Sequence, residues 1–472
     1  MAVPRMDNPQ YRVALCIVQK LAANGFEAYF AGGCVRDLLL GVVPKDFDIT
    51  TAAHPEQVMQ LFPRTEAVGA HFGVVLVIDE VNGERLGTEV ATFRSDGVYT
   101  DGRRPDTVIF SENPREDVLR RDFTVNGLLL DVQRFEQGES VEACVLDFVD
   151  GRADLQAKVI RAIGDPVRRF TEDKLRILRA VRFAARLGFA IEPATMRAMQ
   201  QLAPEVTQVS CERIREELTK ILTEGAAHTG LELLDEAGVL SVVLPEVARM
   251  KGCAQPPAYH PEGDVWVHTL MLLDHLPAGV SATLAWGMLL HDVGKPPTFT
   301  PPDPNKPGDR IRFNGHAEIG VAVGRAILNR LRFSNEDIEQ ILALVKHHMQ
   351  FGDVPKMKQS TLKRFLRLPR FDEHLALHFA DVMSSHGMLG PYEYAKQHLS
   401  ELSHDEIRPS LLLTGGDLIA AGYRPGPRFR EMLMVAEDAQ LEGTVSTRSD
   451  ALALVNQHFG APEMDLKAMG SR

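Results

Sequence analysis

The stretch Ala31-Gly32-Gly33-Cys34-Val35-Arg36-Asp37, followed by Leu38-Leu39-Leu40-Gly41-Val42-Val43 and then Pro44-Lys45-Asp46-Phe47-Asp48-Ile49, decides how this chain is read. Its two glycines follow a predicted strand, Glu27–Ala31, and precede a predicted apolar helix, Val35–Leu40. Glycine lets the backbone approach a triphosphate, and the helix N-terminus beyond it offers unpaired N–H groups and a positive dipole end. Asp46 and Asp48 fall in a second predicted strand, Asp46–Thr50, where side chains two residues apart share a face. Two hard oxygen ligands then point one way, which suits Mg²⁺, whose octahedral shell takes one or two carboxylates together with phosphate oxygens. Glu89, in the predicted strand Thr88–Thr92, could add a third carboxylate. Taken alone, Asp-x-Asp is more readily a solvated strand edge or turn, and Gly-Gly more readily a plain strand-to-helix turn. Arg36 beside the glycines and the carboxylates ten residues later favour a phosphate-binding, cation-dependent site.

Outward from this stretch, Tyr11–Asn24 reads as an amphipathic helix and Val74–Ile78 as a further strand, so residues 1–150 are α/β. From about Gly151 onward, helical periodicity dominates. The prolines at 296, 297, 301, 302, 304 and 307 predict a loop, because proline lacks the donor that helix and strand ladders need. No fixed-period repeat is present. With 472 residues, 44% hydrophobic and 25% charged, the chain should fold as about three ordinary globular domains. Its net charge of −12 argues against non-specific DNA coating, and any polyanion must be held by local basic patches. Five scattered cysteines without a C-x-x-C pair suggest a reducing compartment. With no leader-like or membrane-length apolar run, a cytoplasmic protein without membrane contact is expected.

Further segments follow in order: Arg94-Ser95-Asp96-Gly97-Val98-Tyr99-Thr100-Asp101-Gly102-Arg103-Arg104-Pro105; Arg120-Arg121-Asp122-Phe123-Thr124-Val125-Asn126; Asp150-Gly151 with Asp154-Leu155; Ile160 to Pro166; and Arg169-Phe170-Thr171-Glu172-Asp173-Lys174-Leu175-Arg176-Ile177-Leu178-Arg179-Ala180. Together with the opening stretch, they resemble the bacterial class II CCA-adding enzymes and their poly(A) polymerase relatives, densely over residues 28–190. Lys174 departs from the pattern, standing where many relatives carry proline.

The resemblance implies an α/β nucleotidyltransferase head with a small mixed sheet (1–150), a helical neck (151–225), a helical body (226–400) and a helical tail that clamps the tRNA acceptor arm (401–472). It implies Asp46, Asp48 and Glu89 as catalytic, with two Mg²⁺ ions on Asp46 and Asp48. It also places Gly32, Gly33, Arg36, Arg121, Asp122, Asn126, Asp173, Arg176 and Arg179 around the nucleotide, and makes the loop from Arg94 to Arg104 a mobile element near the site. A helix starting near Thr171 would set Asp173 and Arg176 on one face. Cytosine and adenine both present an exocyclic amine beside an unprotonated ring nitrogen, so a carboxylate and a guanidinium could accept both and reject uracil and guanine. On spacing alone, Glu172 and Asp173 could instead complement the helix dipole while Arg176 pairs with one of them, and Arg120-Arg121-Asp122 could be a surface ion cluster.

Residues 161–190 hold eight Lys or Arg against three acids, and Lys356–Arg370 holds six basic residues and no acid; either is an RNA-binding patch or a solvated helix face. A second set, His268, His291-Asp292, His316, His347-His348 and Asp381, resembles the HD-domain metal-dependent phosphohydrolases, above all in Leu290-His291-Asp292-Val293-Gly294-Lys295-Pro296. Imidazoles with carboxylates suit a transition metal such as Mn²⁺, Fe²⁺, Co²⁺ or Ni²⁺. His268, His291, Asp292 and Asp381 would be its ligands, and His316 with His347 or His348 could hold a second ion or a phosphate. The expected activity is the template-independent addition of C and A, from CTP and ATP, to the tRNA 3′ end. Adding A alone, poly(A) synthesis, or an HD phosphohydrolase with an RNA-binding head are the rival readings.

Overall fold

A computed structural model of the chain describes residues 8–69, 73–95 and 109–461. Its chain contacts divide into two units: Met1–Ala248 with Leu276–Gly279 and Arg330–Arg332, and Arg249–His275 with Val280–Asn329 and Phe333–Arg472.

In the first unit, seven strands form a mixed sheet: β1 Ala28–Ala31, β2 Ile49–Thr51, β3 Thr65–Gly69, β4 Val74–Val81, β5 Glu84–Thr92, β6 Leu128–Leu130 and β7 Val145–Asp147, in the spatial order β3-β4-β5-β2-β1-β6-β7. β2 runs parallel to β5, whereas β1 is antiparallel to both β2 and β6. Asn82 and Gly83, at φ 53° and 84°, close the β4–β5 hairpin, the conformation that a two-residue Asn-Gly hairpin turn requires. The predicted strand Asp46–Thr50 is corrected: the paired strand begins at Ile49, and residues 46–48 precede it, tied to β1 where Ala31 N–H donates to the Asp48 carbonyl at 2.9 Å. β6 escaped sequence reading because Leu128, Leu129 and Leu130 are all buried, so they give a continuous apolar run instead of alternation. The helix Pro9–Ala23, capped by Asn8 with proline in its first turn, buries Tyr11, Ile17 and Leu21. Tyr11, Phe30 and Phe47 form a ring cluster with centroids 5.3–5.8 Å apart.

The helix expected from Thr171 is two helices, Pro166–Glu172 and Leu175–Leu187, with Asp173 extended between them at φ −148° and ψ 104°. The break is made by Asp173 itself, whose Oδ1 accepts from the Leu175 N–H at 3.1 Å, the local capping that lets Asp compete with helix continuation. Leu175–Leu187 packs against Cys211–Thr223 and Ala227–Glu236, so residues 226–248 belong with the first unit.

The second unit is helical, with Val265–Leu273, Ala282–Leu290, Asn335–His347 and Phe371–Met383 around a buried centre. Pro296 and Pro297 lie not in a loop but in the short helix Lys295–Thr298, where the first turn needs no N–H donors. Gly294 has no room for a side chain: a Cβ there would meet the His316 carbonyl at 2.0 Å and Gly320 N at 2.6 Å. A separate small core around Leu418, Met432, Ala451 and Val455 holds residues beyond 410 together. Among the described residues, no helix is long and apolar enough to cross a membrane.

Candidate active site

Phe47 is buried (1% exposed) in the ring cluster, and this forces its neighbours Asp46 and Asp48 outward on the opposite side. The parallel register pairs Ile49 with Val90, so one residue earlier Asp48 comes beside Glu89. Ile49 and Val90 turn into the core, and Glu89 is exposed. Asp48 opens to the cleft yet is flanked by protein, and this loss of water, with Glu89 and Asp46 nearby and Arg121 opposing, raises its pKa to about 6. A cavity of about 850 Å³ takes in Asp46 and Asp48 together with Gly32, Gly33 and Arg36. Gly32 caps the helix Gly33–Leu39 at φ 72°, a left-handed backbone that suits glycine, and a Cβ on it would meet Arg121 Nη1 at 3.2 Å.

The cations around this cavity are mutually braced. Arg36, 2% exposed, donates to Asp37 Oδ1 through Nε and Nη2 at 2.8 and 2.7 Å, and to Asn126 Oδ1 at 2.7 Å. Arg120 and Arg121 both fork onto Asp117 at 2.6–3.2 Å. Asp117 is fully buried; burial alone would raise its pKa, but Arg121 and Arg120 outweigh it and hold the carboxyl at about 2. Asp122 accepts from Arg179 at 2.8 and 2.6 Å and from Asn126 at 3.2 Å, and Arg179 overcomes the effect of burial to keep its pKa low. Phe183 lines the cavity with the guanidinium groups of Arg36, Arg179 and Arg182 4.4–5.5 Å from its ring centre.

Asp173 and Arg176 both reach this cavity, though not from one helix face. Asp173 Oδ2 accepts from Arg213 at 2.9 Å. Arg176 donates to Glu172 Oε2, the Arg169 carbonyl and the Arg120 carbonyl at 3.0–3.1 Å. Arg carries five N–H donors, so two have no acceptor among the described residues. The excess of cations over residues 161–190 is offset by acids from elsewhere: Arg161 meets Asp154, Arg179 meets Asp122, Arg182 meets Glu217, and Arg186 lies near Asp37 and Glu224. In Lys356–Arg370, likewise, Arg364 and Arg367 pair with Glu437, and Arg370 with Glu336. Of the loop starting at Arg94, Arg94–Ser95 pairs with Ile109–Phe110, and residues 96–105 lie outside the described residues.

In the second unit, His268, His291, Asp292 and His348 are at most 3% exposed and His316 is 9% exposed. Each imidazole is oriented from behind: Nδ1 of His291, His316 and His348 faces the carbonyls of Met288, Phe313 and Val345 at 2.7–2.9 Å, and Nδ1 of His268 faces Glu262 at 2.8 Å. The Nε2 atoms therefore converge. His268 Nε2 is 3.1 Å from Asp381 and 4.0 Å from Asp292; His291, His316 and His348 lie 3.2, 3.6 and 3.7 Å from Asp292. Two groups of ligand atoms result, His268–His291–Asp381 and Asp292–His316–His348. His348, not the expected His347, joins Asp292 and His316, and Nδ1 of His347 instead faces Gln350. The Nε2 atoms of His268 and His291 and Oδ1 of Asp292 are buried and make no well-formed hydrogen bond. Buried polar atoms are rarely left so, and imidazole nitrogens beside carboxylates are the donor set a transition metal takes. Lys295 Nζ, 2.6 Å from Asp292 Oδ2, outweighs the effect of burial and keeps that carboxyl well below the usual range.

The chain matches family models described as the poly A polymerase head domain over residues 28–161, the probable RNA and SrmB-binding site of polymerase A over 188–251, and the HD domain over 264–377. A CCA-adding enzyme of Leuconostoc mesenteroides is 33% identical over 437 residues, covering 92% of this chain and 93% of the relative. This chain belongs to the CCA-adding enzyme family. A Geobacillus stearothermophilus CCA-adding enzyme is 43% identical over 240 residues, 51% of this chain and 56% of that one. Of solved structures, the Bacillus stearothermophilus CCA-adding enzyme in complex with CTP superimposes with a TM-score of 0.69 at 27% identity, covering 96% of this chain and 98% of that one. The Thermotoga maritima CCA-adding enzyme complexed with tRNA shares the fold at a TM-score of 0.55 and 19% identity, covering 96% of each chain.

Sequence reading passed over Asp117 and Glu262 in this CCA-adding enzyme fold, and of Glu172 it gave only the alternative pairing with Arg176, which the structure shows. Asp117 lies three and four residues before the two arginines it holds, a helical spacing that could have revealed it. Glu172 gathers Arg168, Arg169 and Arg176. Glu262 is six residues before His268, joined to it by a turn that periodicity does not detect.

Proposed function

We propose that this CCA-adding enzyme family member builds C and A onto the tRNA 3′ end from CTP and ATP without a template, with Asp46, Asp48 and Glu89 at the reaction centre. What carries the reading is one cavity holding the Asp46–Asp48 pair, the Gly32–Gly33 turn and the Asp173–Arg176 pair. Asp46 and Asp48, with Glu89 beside Asp48, are hard oxygen donors that fit Mg²⁺. Asp46 and Asp48, with Glu89, would hold such ions, whose charge would serve to polarise the α-phosphate and neutralise the entering and leaving oxygens. The bond formed joins the RNA 3′-oxygen to the α-phosphorus, and the bond broken releases pyrophosphate.

The chain's own part is positioning. Gly32 and Gly33 let the triphosphate approach the backbone, beside Arg36 and Arg121. Asp122, Asn126 and Arg179 hold the sugar end of the nucleotide. Asp173 accepts from the exocyclic amine of cytosine or adenine, and the two unengaged donors of Arg176 face the ring nitrogen. Uracil and guanine would set carbonyl against carboxylate and N–H against guanidinium, a mismatch costing several kcal/mol in a buried site. We assign residues 1–150 to the head, 151–248 to the neck, since 226–248 belong with the first unit, 249–400 to the body and 401–472 to the acceptor-arm tail, and place the protein in the cytoplasm, in keeping with its five free cysteines.

The deciding test incubates the protein with tRNA ending at the discriminator base and sequences the 3′ ends. CTP with ATP should give CCA, and Asp46→Ala should give none. A homopolymer, a single A, or undiminished Asp46→Ala activity would overturn the reading. A second assignment rests on the unsatisfied atoms of the histidine cluster: His268, His291, Asp292 and Asp381, with His316 and His348, fit Mn²⁺, Fe²⁺, Co²⁺ or Ni²⁺ and would support phosphate-ester hydrolysis. Elemental analysis of purified protein tests it, and a metal-free protein that takes up none of these ions would refute it.

A further inference from the structure

Resting on the transferase reading, we propose that Val42 and Val43 form an apolar lip on which the last base of the RNA acceptor packs, so that these two residues position the primer end and leave its sequence unread. Among the described residues of the first unit, five large apolar side chains are more than a third exposed. Leu40, Val42 and Val43 fall in one four-residue run, while Ile109 and Leu119 lie elsewhere. Val42 and Val43, 54% and 49% exposed, line the same cavity as Asp46 and Asp48.

The lip is held in shape by the backbone. At the end of the helix Gly33–Leu39, Gly41 at φ 74° donates to the Leu38 carbonyl at 3.0 Å, and Val42 donates to the Asp37 carbonyl at 2.9 Å. This pairing ends helices with a glycine, and the residue after the glycine normally buries its side chain against the helix position that accepts its N–H. Here that position is Asp37, whose carboxylate is committed to Arg36, so Val42 has no apolar partner there and stays open to the cavity. Pro44, buried, restricts Val43 to extended conformations from the other side. Two valines are thus fixed at the rim, immediately before Lys45 and the carboxylate pair.

The chemistry of sequential addition says what such a lip is for. The incoming base is always C or A and can be read by Asp173 and Arg176. The terminal base of the acceptor is not fixed: it is a discriminator of any identity at the first step and C at the next two. No fixed set of donors and acceptors satisfies all of these, whereas every base has an apolar face, so contact with that face is sequence-tolerant. Lys45, exposed on the same cavity, sets a cation beside the phosphates that accompany that base.

The test is the double variant Val42→Ser/Val43→Ser, assayed for single additions on tRNAs ending at the discriminator, at C and at CC. The KM for tRNA should rise roughly tenfold, as loss of a modest apolar contact implies. The rise should be similar on all three acceptors and for all four discriminator bases, with the KM for CTP and ATP unchanged. Val42→Leu/Val43→Leu, which keeps an apolar surface, should restore tRNA binding. An unchanged KM for tRNA, a rise confined to one acceptor, or a rise in nucleotide KM instead would overturn the proposal. An inactive wild-type protein, or an active Asp46→Ala variant, would instead overturn the transferase reading on which it rests.

Discussion

In the cleft of the first unit, Asp46 and Asp48 stand open to solvent, while Arg36, Arg121, Arg176 and Arg179 are tied to carboxylates and carbonyls. In the second unit, His268, His291 and Asp292 are closed off from water, and their inward-pointing atoms meet no proper donor or acceptor. The first arrangement leaves its carboxylates open to the cleft and its cations rigid, as suits substrates that come and go. The second leaves buried polar groups unmatched, each costing about 1–3 kcal/mol, as suits a resident ion. Carboxylates thus stand open beside arginines in one place and closed in beside imidazoles in the other.

The strongest challenge to this contrast is Asp48→Asn. Transfer should fall by about 10³-fold or more, because the carboxylate is needed for the cation that neutralises the reacting phosphate. Stability should hold or rise: the folded state binds the Asp48 proton more tightly than the unfolded chain, with a pKa of about 6 against 3.8, so ionised Asp48 costs stability near neutral pH. Single-addition kinetics and thermal melting read the two effects separately, and a stability loss without an activity loss would break the comparison.

A smaller effect is expected from metal in the second unit. Mn²⁺ at a hundred times its dissociation constant should stabilise that unit by about 2.7 kcal/mol, and chelation should reverse this. Asp292→Ala should abolish the stabilisation while CTP binding persists. Calorimetric scans with and without Mn²⁺ decide, and a melting profile blind to metal in the wild type would remove the distinction between the two sites.

Asp117 sharpens the other side of the contrast. Its pKa falls from 3.8 to about 2 in the fold, so it contributes about 2 kcal/mol of stability. That contribution is complete above pH 3.8 and fades as pH drops toward 2. Urea unfolding at pH 7 and pH 3 should show it in the wild type, and Asp117→Asn should lose this part of the acid sensitivity. The smallest effect belongs to Glu262→Gln, which takes the anionic partner from Nδ1 of His268: Mn²⁺ affinity by titration calorimetry should weaken by about tenfold, with nucleotide transfer unaltered.

Much of the cleft was legible in advance for local reasons. Alternation placed Asp46 and Asp48 together because Phe47 must turn inward, and the glycine pair marked the turn before a helix. Asp173 and Arg176 were expected on one helix face, yet Asp173 caps the following helix and ends the preceding one, a choice between two local hydrogen-bond patterns that spacing does not record. The arginines of residues 161–190 looked like an RNA surface because their partners, among them Asp122, Glu217 and Asp37, are distant in sequence. In the adjacent pair His347-His348, both residues are plausible ligands until the helix phase is known, and that phase turns His348 toward Asp292.

Phe47 sits between the two carboxylates and against Tyr11 and Phe30. The carboxylate pair is therefore spliced around an anchor of the sheet's own core, and the connecting segment that leads into β2 is pinned at its middle residue. On heating, loss of nucleotide transfer should coincide with melting of the first unit and not precede it, and variants that loosen the aromatic trio should forfeit catalysis and folding at the same temperature.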